Sequence, residues 1–108
     1  MTSLLAAFTD GYSTYAGGKA PVEVFARAAA KEFVPRGISV TAVGAGPMDT
    51  QFFYGQETPE RVGFHNSQAM NGQLTQIEDI GPIITFLATD GWWITGQTIF
   101  ANGGYTTR

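Results

Sequence analysis

A tyrosine and a lysine near the start of the chain have the types and spacing of an acid–base pair. Tyr15 and Lys19 are four residues apart, so on a helix they would share one face about one turn apart. A phenol is a weak acid at neutral pH because its ordinary pKa is about 10, and an ammonium group beside it favours the phenolate. The plain alternative is a surface tyrosine and a solvated lysine.

The segment that carries both residues has the periodicity of an amphipathic helix. Over residues 12–33, apolar side chains recur at intervals of three and four residues. These side chains are Val22, Phe25, Ala26, Ala29, Ala30 and Phe33. We expect Pro21 either to open the main helix or to bend it, and we expect Pro35 and Gly37 to end it.

Two later segments have the composition of strands. Residues 38–43, Ile-Ser-Val-Thr-Ala-Val, form a β-branched run typical of a buried strand. Residues 44–47, Gly-Ala-Gly-Pro, are expected to break that strand sharply. Residues 97–101, Gln-Thr-Ile-Phe-Ala, predict a second strand, which leads into an Asn-Gly-Gly turn.

Between the two strands the sequence predicts a long irregular stretch and then a helix. Residues 48–74 have no clear periodicity and contain Phe52, Phe53, Tyr54, Phe64 and His65. Residues 75–78, Thr-Gln-Ile-Glu, have the pattern of a capping box that opens a helix through about residue 88. Gly91 is expected to end it.

The order helix, strand, loop, helix, strand indicates an α/β fold. Two strands joined by a helix predict parallel pairing with a right-handed crossover. Parallel sheets are normally covered on both faces and extended at both edges. Two strands alone therefore make a poor sheet, and we expect further strands to complete it.

Composition limits the classes of function. The chain has 108 residues, enough for one modest domain, with 44% hydrophobic and only 14% charged residues, so much of its surface is suited to burial against other protein. A net charge of -3 without a basic cluster argues against nucleic acid and anionic membranes as partners. The absence of cysteine excludes disulfides, thiolate catalysis and zinc–thiolate sites, and no metal site is expected. No apolar run reaches the roughly 20 residues of a membrane span, so a cytoplasmic protein is the default expectation.

Four segments occur in the order and at nearly the intervals found in short-chain dehydrogenases/reductases, and the chain resembles that family from Ser3 to Gly104. The four are the paired hydroxyls of residues 2–3, Tyr-Ala-Gly-Gly-Lys at 15–19, residues 38–50 and residues 94–104. The resemblance implies an α/β, partial Rossmann-like fold, the C-terminal portion of a doubly wound parallel sheet with about two strands and flanking helices. Residues 1–108 would form a single truncated catalytic half-domain.

The resemblance also assigns segments and roles. The catalytic helix would lie in residues 1–37, the strand and nicotinamide loop in 38–50, a substrate lid in 51–76, and the last helix and strand in 77–108. Tyr15 would be the general acid in carbonyl reduction, or the base in alcohol oxidation. Lys19 would favour the phenolate and hold the ribose hydroxyls of the cofactor. Ser3 would orient the substrate carbonyl, with Thr2 as the alternative because Ser3 is one residue nearer to Tyr15 than is usual in the family.

The cofactor, NAD or NADP, would be bound by Tyr15 and Lys19 together with residues after the first predicted strand. Gly46, Pro47, Met48 and Thr50 would pass under the nicotinamide, with backbone groups and the threonine hydroxyl contacting its carboxamide. The absence of a side chain at Gly46 would permit close approach of the backbone to the ligand. For Gly46 and Pro47 the alternative is a tight turn that needs such residues with or without a cofactor.

The chain also departs from the family pattern. Thr41 replaces the usual Asn, Ala45 the usual Pro and Gly18 the usual Ser. No glycine-rich dinucleotide turn precedes Tyr15. We therefore expect the chain alone to bind a dinucleotide poorly and to be inactive. The alternatives to an oxidoreductase are a non-catalytic oligomeric fragment and a protein-interaction module.

The remaining aromatic residues and the histidine allow more than one interpretation. Residues 52–54 could form an apolar lid over the carbonyl pocket or an ordinary packing plug. His65 is expected to be a loop residue rather than a metal ligand or acid–base group, and Trp92 and Trp93 to be packing or interface residues.

Self-association is expected as well. The helix face with Phe25, Ala29 and Phe33, together with the edge of the strand at residues 38–43, needs cover. We therefore expect a homo-oligomer, a dimer or a tetramer. The substrate implied by the family is a small carbonyl compound or alcohol.

Overall fold

A computed structural model describes residues 13–107 and the backbone of residues 2–3. Its elements in chain order are β1 (Thr2–Ser3), α1 (Ser13–Phe33), β2 (Ala42–Ala45), α2 (Gln51–Tyr54), α3 (Pro59–Ser67), α4 (Ile77–Ala88) and β3 (Thr98–Ala101). Short 3-10 turns lie at Val34–Arg36 and Met70–Gly72. The predicted α/β class is confirmed.

The strands form one parallel sheet in the order β1-β2-β3. Ala42 lies opposite Thr98 and Ala45 opposite Ala101, while on the other side of β2 Ser3 lies opposite Ala45. The predicted parallel pairing of the two longer strands is therefore confirmed. The sheet has a third strand, β1, so that β2 is paired on both sides.

The first helix has the predicted extent, and it continues through Pro21 as one element. Since α1 begins at Ser13, Pro21 does not open it. Ala16, Ala26 and Ala30 are buried, together with Glu23. Small side chains on this face allow the helix to lie close to the rest of the chain. Gly37 takes a left-handed φ of 66° where the chain leaves the 3-10 turn after α1.

The first longer strand starts four residues and ends two residues later than predicted, over Ala42–Ala45 rather than 38–43. The reason is the hydrogen bonding of the β-branched residues. Val40 N donates to Thr95 Oγ1 at 3.0 Å, and Thr41 Oγ1 donates to Ile94 O at 2.7 Å. These residues thus pair with the chain that leads into β3. The predicted break at residues 44–47 is wrong for its first half, because Gly44 and Ala45 belong to the strand.

The stretch predicted to be irregular contains two short helices with threonine caps. Thr50 Oγ1 accepts from Phe53 N at 3.4 Å at the start of α2, and Thr58 Oγ1 accepts from Arg61 N at 3.4 Å at the start of α3, where Pro59 holds the first helical position. Both are N-cap patterns that favour a helix. The prediction missed them because each helix is too short to show a hydrophobic period.

The last helix and strand lie close to their predicted positions. The capping box is one residue later than predicted: Gln76 N donates to Asp79 Oδ2 at 2.8 Å. Thr75 is instead buried in a parallel bridge with Met48. The helix ends at Ala88 as predicted.

A small core lies between β2 and α4. Val43, Ala45 and Ile80 are buried there, and Met48, Leu87 and Ala101 pack against them. In the described part of the chain no helix is long and apolar enough to cross a membrane.

Candidate active site

Tyr15 and Lys19 lie on the first turns of α1 and on the same side of it. Lys19 Nζ is 5.7 Å from the centroid of the Tyr15 ring, a distance at which an ammonium group and an aromatic face attract each other. Tyr15 is 40% exposed, so the residue lies at the surface of the described part of the chain. The predicted juxtaposition of the two side chains is therefore present, with the phenol and the ammonium close together at a surface.

The strand β1 brings Ser3 beside the loop that follows β2. Ser3 pairs with Ala45, the residue before Gly46, and α1 packs against β1. The backbone thus gathers Ser3, the helix with Tyr15 and the start of the predicted nicotinamide loop in one region. The side chains of Thr2 and Ser3 lie outside the described residues, so the choice between them stays a prediction.

Gly46 is buried, and the atoms nearest to it belong to other residues of the same chain. A Cβ placed on it would lie 3.0 Å from Asn102 Cβ and 3.1 Å from Thr75 Oγ1. Gly46 does not have a positive φ, so the glycine is needed for space rather than for a turn conformation. The glycine is therefore needed for close packing against the end of β3. Neither interpretation from the sequence, contact with the cofactor or a tight turn, included this packing.

Thr75 holds the predicted nicotinamide loop in place through its backbone. Its N–H donates to Pro47 O at 2.9 Å, and its carbonyl accepts from Asp49 N at 2.9 Å. This pairing fixes the backbone around Met48, the partner of Thr75 in the bridge. This role of Thr75 was not predicted, because the residue pattern at 75–78 indicated a helix start there.

Thr50 already has one task in the fold. Its hydroxyl oxygen accepts from Phe53 N as the N-cap of α2, which uses one lone pair and leaves the hydroxyl proton available. A threonine at this position can cap the helix and donate to a carboxamide oxygen at the same time.

The aromatic residues after the loop divide into two environments. Phe52 is 71% exposed, whereas Phe53 is half-buried and lies edge-on to His65 with 5.5 Å between ring centroids. The Tyr54 hydroxyl donates to Asp49 Oδ1 at 2.6 Å. This hydrogen bond is the main cause that raises the pKa of Tyr54, with smaller contributions from burial and from the Asp49 charge. Phe53 thus has a packing contact that the exposed Phe52 lacks, and the choice between a lid and a packing plug for residues 52–54 stays open.

The expectation that His65 is a loop residue is wrong. His65 lies on α3, is buried, and has its Nδ1 2.7 Å from the Tyr105 hydroxyl. Its place on α3 was hidden because the short helix has no clear period. Among residues 13–107, no three His, Cys, Asp or Glu side chains form a group that could hold a metal ion.

The tryptophans lie at the surface after α4. Trp92 and Trp93 are 53% and 80% exposed and contact each other edge-to-face with 5.2 Å between ring centroids. Because both tryptophans are exposed, their role as interface residues stays a prediction.

Comparison with known proteins places the chain among oxidoreductases. A family model described as enoyl-(acyl carrier protein) reductase matches residues 1–106. The chain is 41% identical over 104 residues to an NADPH-dependent aldehyde reductase 2, chloroplastic, from Arabidopsis thaliana, covering 95% of this chain and 38% of the relative. It is 32% identical over 104 residues to a short-chain type dehydrogenase/reductase from Picea abies, again covering 95% and 38%.

Solved structures agree in both sequence and shape. A Burkholderia cenocepacia protein assigned as a dehydrogenase and crystallised with bound NADP is 59% identical, with a TM-score of 0.92 over 100% of this chain and 43% of that one. A promiscuous reductase of lugdunomycin biosynthesis is 30% identical, with a TM-score of 0.81 over 96% and 42%. The chain thus spans about two fifths of the length of the proteins it matches. By sequence and by fold, it belongs to the short-chain dehydrogenase/reductase family.

Proposed function

We propose that this chain supplies the acid–base half of an NADP-dependent reductase that interconverts small carbonyl compounds and alcohols. The observation that carries the proposal is the placement of the Lys19 ammonium 5.7 Å from the Tyr15 ring centroid at an accessible surface. In a chain of this family, that arrangement supports a phenol working as proton donor to a reacting oxygen.

Each residue of the site has a defined task in this chemistry. In reduction, Tyr15 gives its proton to the carbonyl oxygen while the carbonyl carbon receives a hydride; in oxidation, the phenolate takes the proton back from the alcohol. Lys19 stabilises the phenolate and binds the ribose hydroxyls of the nucleotide. The hydroxyl of Ser3, or of Thr2, orients the carbonyl by a hydrogen bond. The reduced nicotinamide supplies the hydride when it is bound.

The loop after β2 fits the nicotinamide end of a dinucleotide. Its backbone is fixed by Thr75, and the Thr50 hydroxyl keeps a proton to donate to the carboxamide. NADP is favoured over NAD because one relative is named NADPH-dependent and a structural neighbour was crystallised with NADP. We propose six residues as the cofactor contacts: Tyr15, Lys19, Gly46, Pro47, Met48 and Thr50.

The 108 residues by themselves are proposed to be inactive. In folds of this kind the pyrophosphate is held by backbone N–H groups of a glycine-rich turn and a helix N-terminus, and no such turn precedes Tyr15 in this chain. Hydride transfer requires donor and acceptor at near-attack distance. A chain that holds only the nicotinamide end cannot fix that distance.

A second candidate function is assembly without catalysis, and the exposed apolar surface favours it. Val24 and Phe25 on α1 are 55% and 69% exposed, and the two tryptophans add to this surface. We propose that the chain forms a homodimer or homotetramer through such faces. The cytoplasmic location stays a prediction, and one relative is named chloroplastic.

The proposed activity is tested by restoring the dinucleotide-binding part. In a chimera, this chain replaces the matching 43% of the Burkholderia protein, and NADPH consumption is followed with a panel of aldehydes and ketones. We expect turnover by the chimera and none by the 108-residue chain. A chimera that has native circular dichroism and binds NADPH, yet reduces no carbonyl, would contradict the proposed function; turnover by the 108-residue chain alone would contradict its proposed inactivity.

A further inference from the structure

A buried polar cluster outside the candidate active site joins two distant parts of the chain. His65 Nδ1 on α3 is 2.7 Å from the hydroxyl of Tyr105, 40 residues later. The two rings also stack, with 5.8 Å between centroids and 30° between planes. Glu57 lies on the other side of the imidazole, with Oε1 3.7 Å from His65 Nε2, and its Oε2 pairs with Arg61 Nε at 3.1 Å. We call His65, Tyr105, Glu57 and Arg61 the His65–Tyr105 clamp.

The imidazole and the carboxylate of the clamp are largely shielded from water, whereas the Arg61 side chain is 54% exposed. His65 and Glu57 have side chains only 10% and 7% exposed, and Phe53 of α2 covers one edge of the imidazole. Burial raises the pKa of Tyr105, the Glu57 charge raises it further, and Arg61 lowers it in part. The phenol therefore keeps its proton at neutral pH and has it available for the hydrogen bond with His65.

A second contact docks the chain after α3 onto the same turn. Met70 N donates to Gly103 O at 2.8 Å. A Cβ on Gly103 would lie 3.5 Å from Ala69 Cβ, so the two backbones approach closely here. The end of the α3 segment is thus tied to the segment after β3 at two points.

Asn102 builds the turn that presents Tyr105. Its side chain is buried, with Oδ1 accepting from Gly104 N at 3.1 Å and Nδ2 donating to Thr106 Oγ1 at 2.8 Å. Its carbonyl accepts from Tyr105 N at 3.1 Å. These bonds fix the turn at the end of β3, and β3 is paired with β2, so the turn joins Tyr105 to the sheet.

We propose that the His65–Tyr105 clamp holds α3 in position from the turn after β3, and that its release frees α3 while the sheet stays intact. Among the described residues, large apolar side chains on and beside α3 are exposed: Phe64 is 58% exposed, and Phe52 on the neighbouring α2 is 71% exposed. The described contacts of α3 and the turn after it with the end of the sheet run through residues 102–106. The proposal does not depend on the proposed function.

Amide hydrogen exchange of the 108-residue chain, followed by NMR, tests this proposal. Tyr105→Phe keeps the stacked ring and removes only the hydroxyl. Loss of one part-buried hydrogen bond is expected to speed exchange of the α3 amides about fivefold, with exchange in α1 and α4 unchanged. Tyr54→Phe is the matched control, since it removes the hydroxyl of an exposed tyrosine bonded to Asp49, and we expect it to leave α3 exchange unchanged.

Three results would overturn the proposal. If the α3 amides of Tyr105→Phe exchange at the unsubstituted rate, the Tyr105 hydroxyl does not hold α3 in position. Equal acceleration in α1, α3 and α4 would mean that the bond supports the whole fold rather than one segment. Unprotected α3 amides in the unsubstituted chain would mean that the clamp is not formed.

Discussion

The main contact of Tyr15 could be predicted from residue type and spacing, whereas the contacts of Gly46 could not. The four-residue interval to Lys19 fixes a shared helix face, and Lys19 Nζ does lie over the Tyr15 ring. The neighbours of Gly46 are Asn102 and Thr75, which come from other elements. Contacts between distant segments carry no local signal, so the packing reason for Gly46 could not be predicted from the sequence. The burial of His65 against Tyr105 was missed for the same reason.

Gly46→Ala is expected to destabilise the chain. The added Cβ would lie 3.0–3.2 Å from atoms of Asn102 and Thr75, and forcing a methyl group into such a site costs about 1–3 kcal/mol. The measurement is the free energy of unfolding in urea.

Gly63→Ala is the matched control for Gly46→Ala. Gly63 is an exposed position inside α3 with nothing within 4 Å of an added Cβ, so alanine there should be neutral or stabilising by up to about 1 kcal/mol. Equal unfolding free energies for the two variants would show that Gly46 is not tightly packed.

Long elements with a clear hydrophobic period were predictable, and short ones were not. The extent of α1 and the end of α4 follow from apolar spacing and from Gly and Pro positions. The helices α2 and α3 have only 4 and 9 residues. The sequence feature that marks their starts is the N-cap threonine, Thr50 for α2 and Thr58 for α3. The shift of β2 came from Val40 and Thr41 bonding to residues 94–95, a partner choice that β propensity does not encode.

Asp79→Ala is expected to destabilise the chain by about 1 kcal/mol, because it removes the carboxylate that accepts from Gln76 N at the start of α4. Glu78→Ala, the control, removes a neighbouring first-turn carboxylate outside that bond and should cost only a few tenths of a kcal/mol. Thermal unfolding of both variants distinguishes the two positions. A larger loss for Glu78→Ala would favour the capping register that the sequence alone suggested.

At the scale of the whole molecule, the described residues form a small sheet and leave several large apolar side chains exposed. This sheet of the described residues has three strands, of which β1 has two residues, and the chain covers about two fifths of its relatives' length. The low content of charged residues, 14%, predicts that part of the surface is buried against other protein. The α/β class and parallel pairing were predictable from element order, whereas the third strand was too short to be recognised.

We expect the chain to form dimers or tetramers, measurable by light scattering with size-exclusion chromatography. Phe25→Glu places a charge on an exposed apolar position of α1 and should shift the population to smaller species. Arg27→Gln changes the net charge by the same amount two residues away, on another side of the helix, and should leave assembly unchanged. A well-folded monodisperse monomer for the unsubstituted chain would contradict self-association.

The central claim is that Tyr15 and Lys19 act on a nicotinamide and its carbonyl partner. The direct measurement is kcat for carbonyl reduction by the chimera carrying Tyr15→Phe, together with its affinity for NADPH from cofactor fluorescence. Because only the proton donor is lost, we expect kcat to fall by at least about 100-fold while NADPH affinity changes little. Lys19→Met should lower both kcat and NADPH affinity. Lys31→Met, in the last turn of α1, is the control and should change neither quantity. Unchanged turnover by Tyr15→Phe in a chimera that reduces carbonyls would contradict the claim.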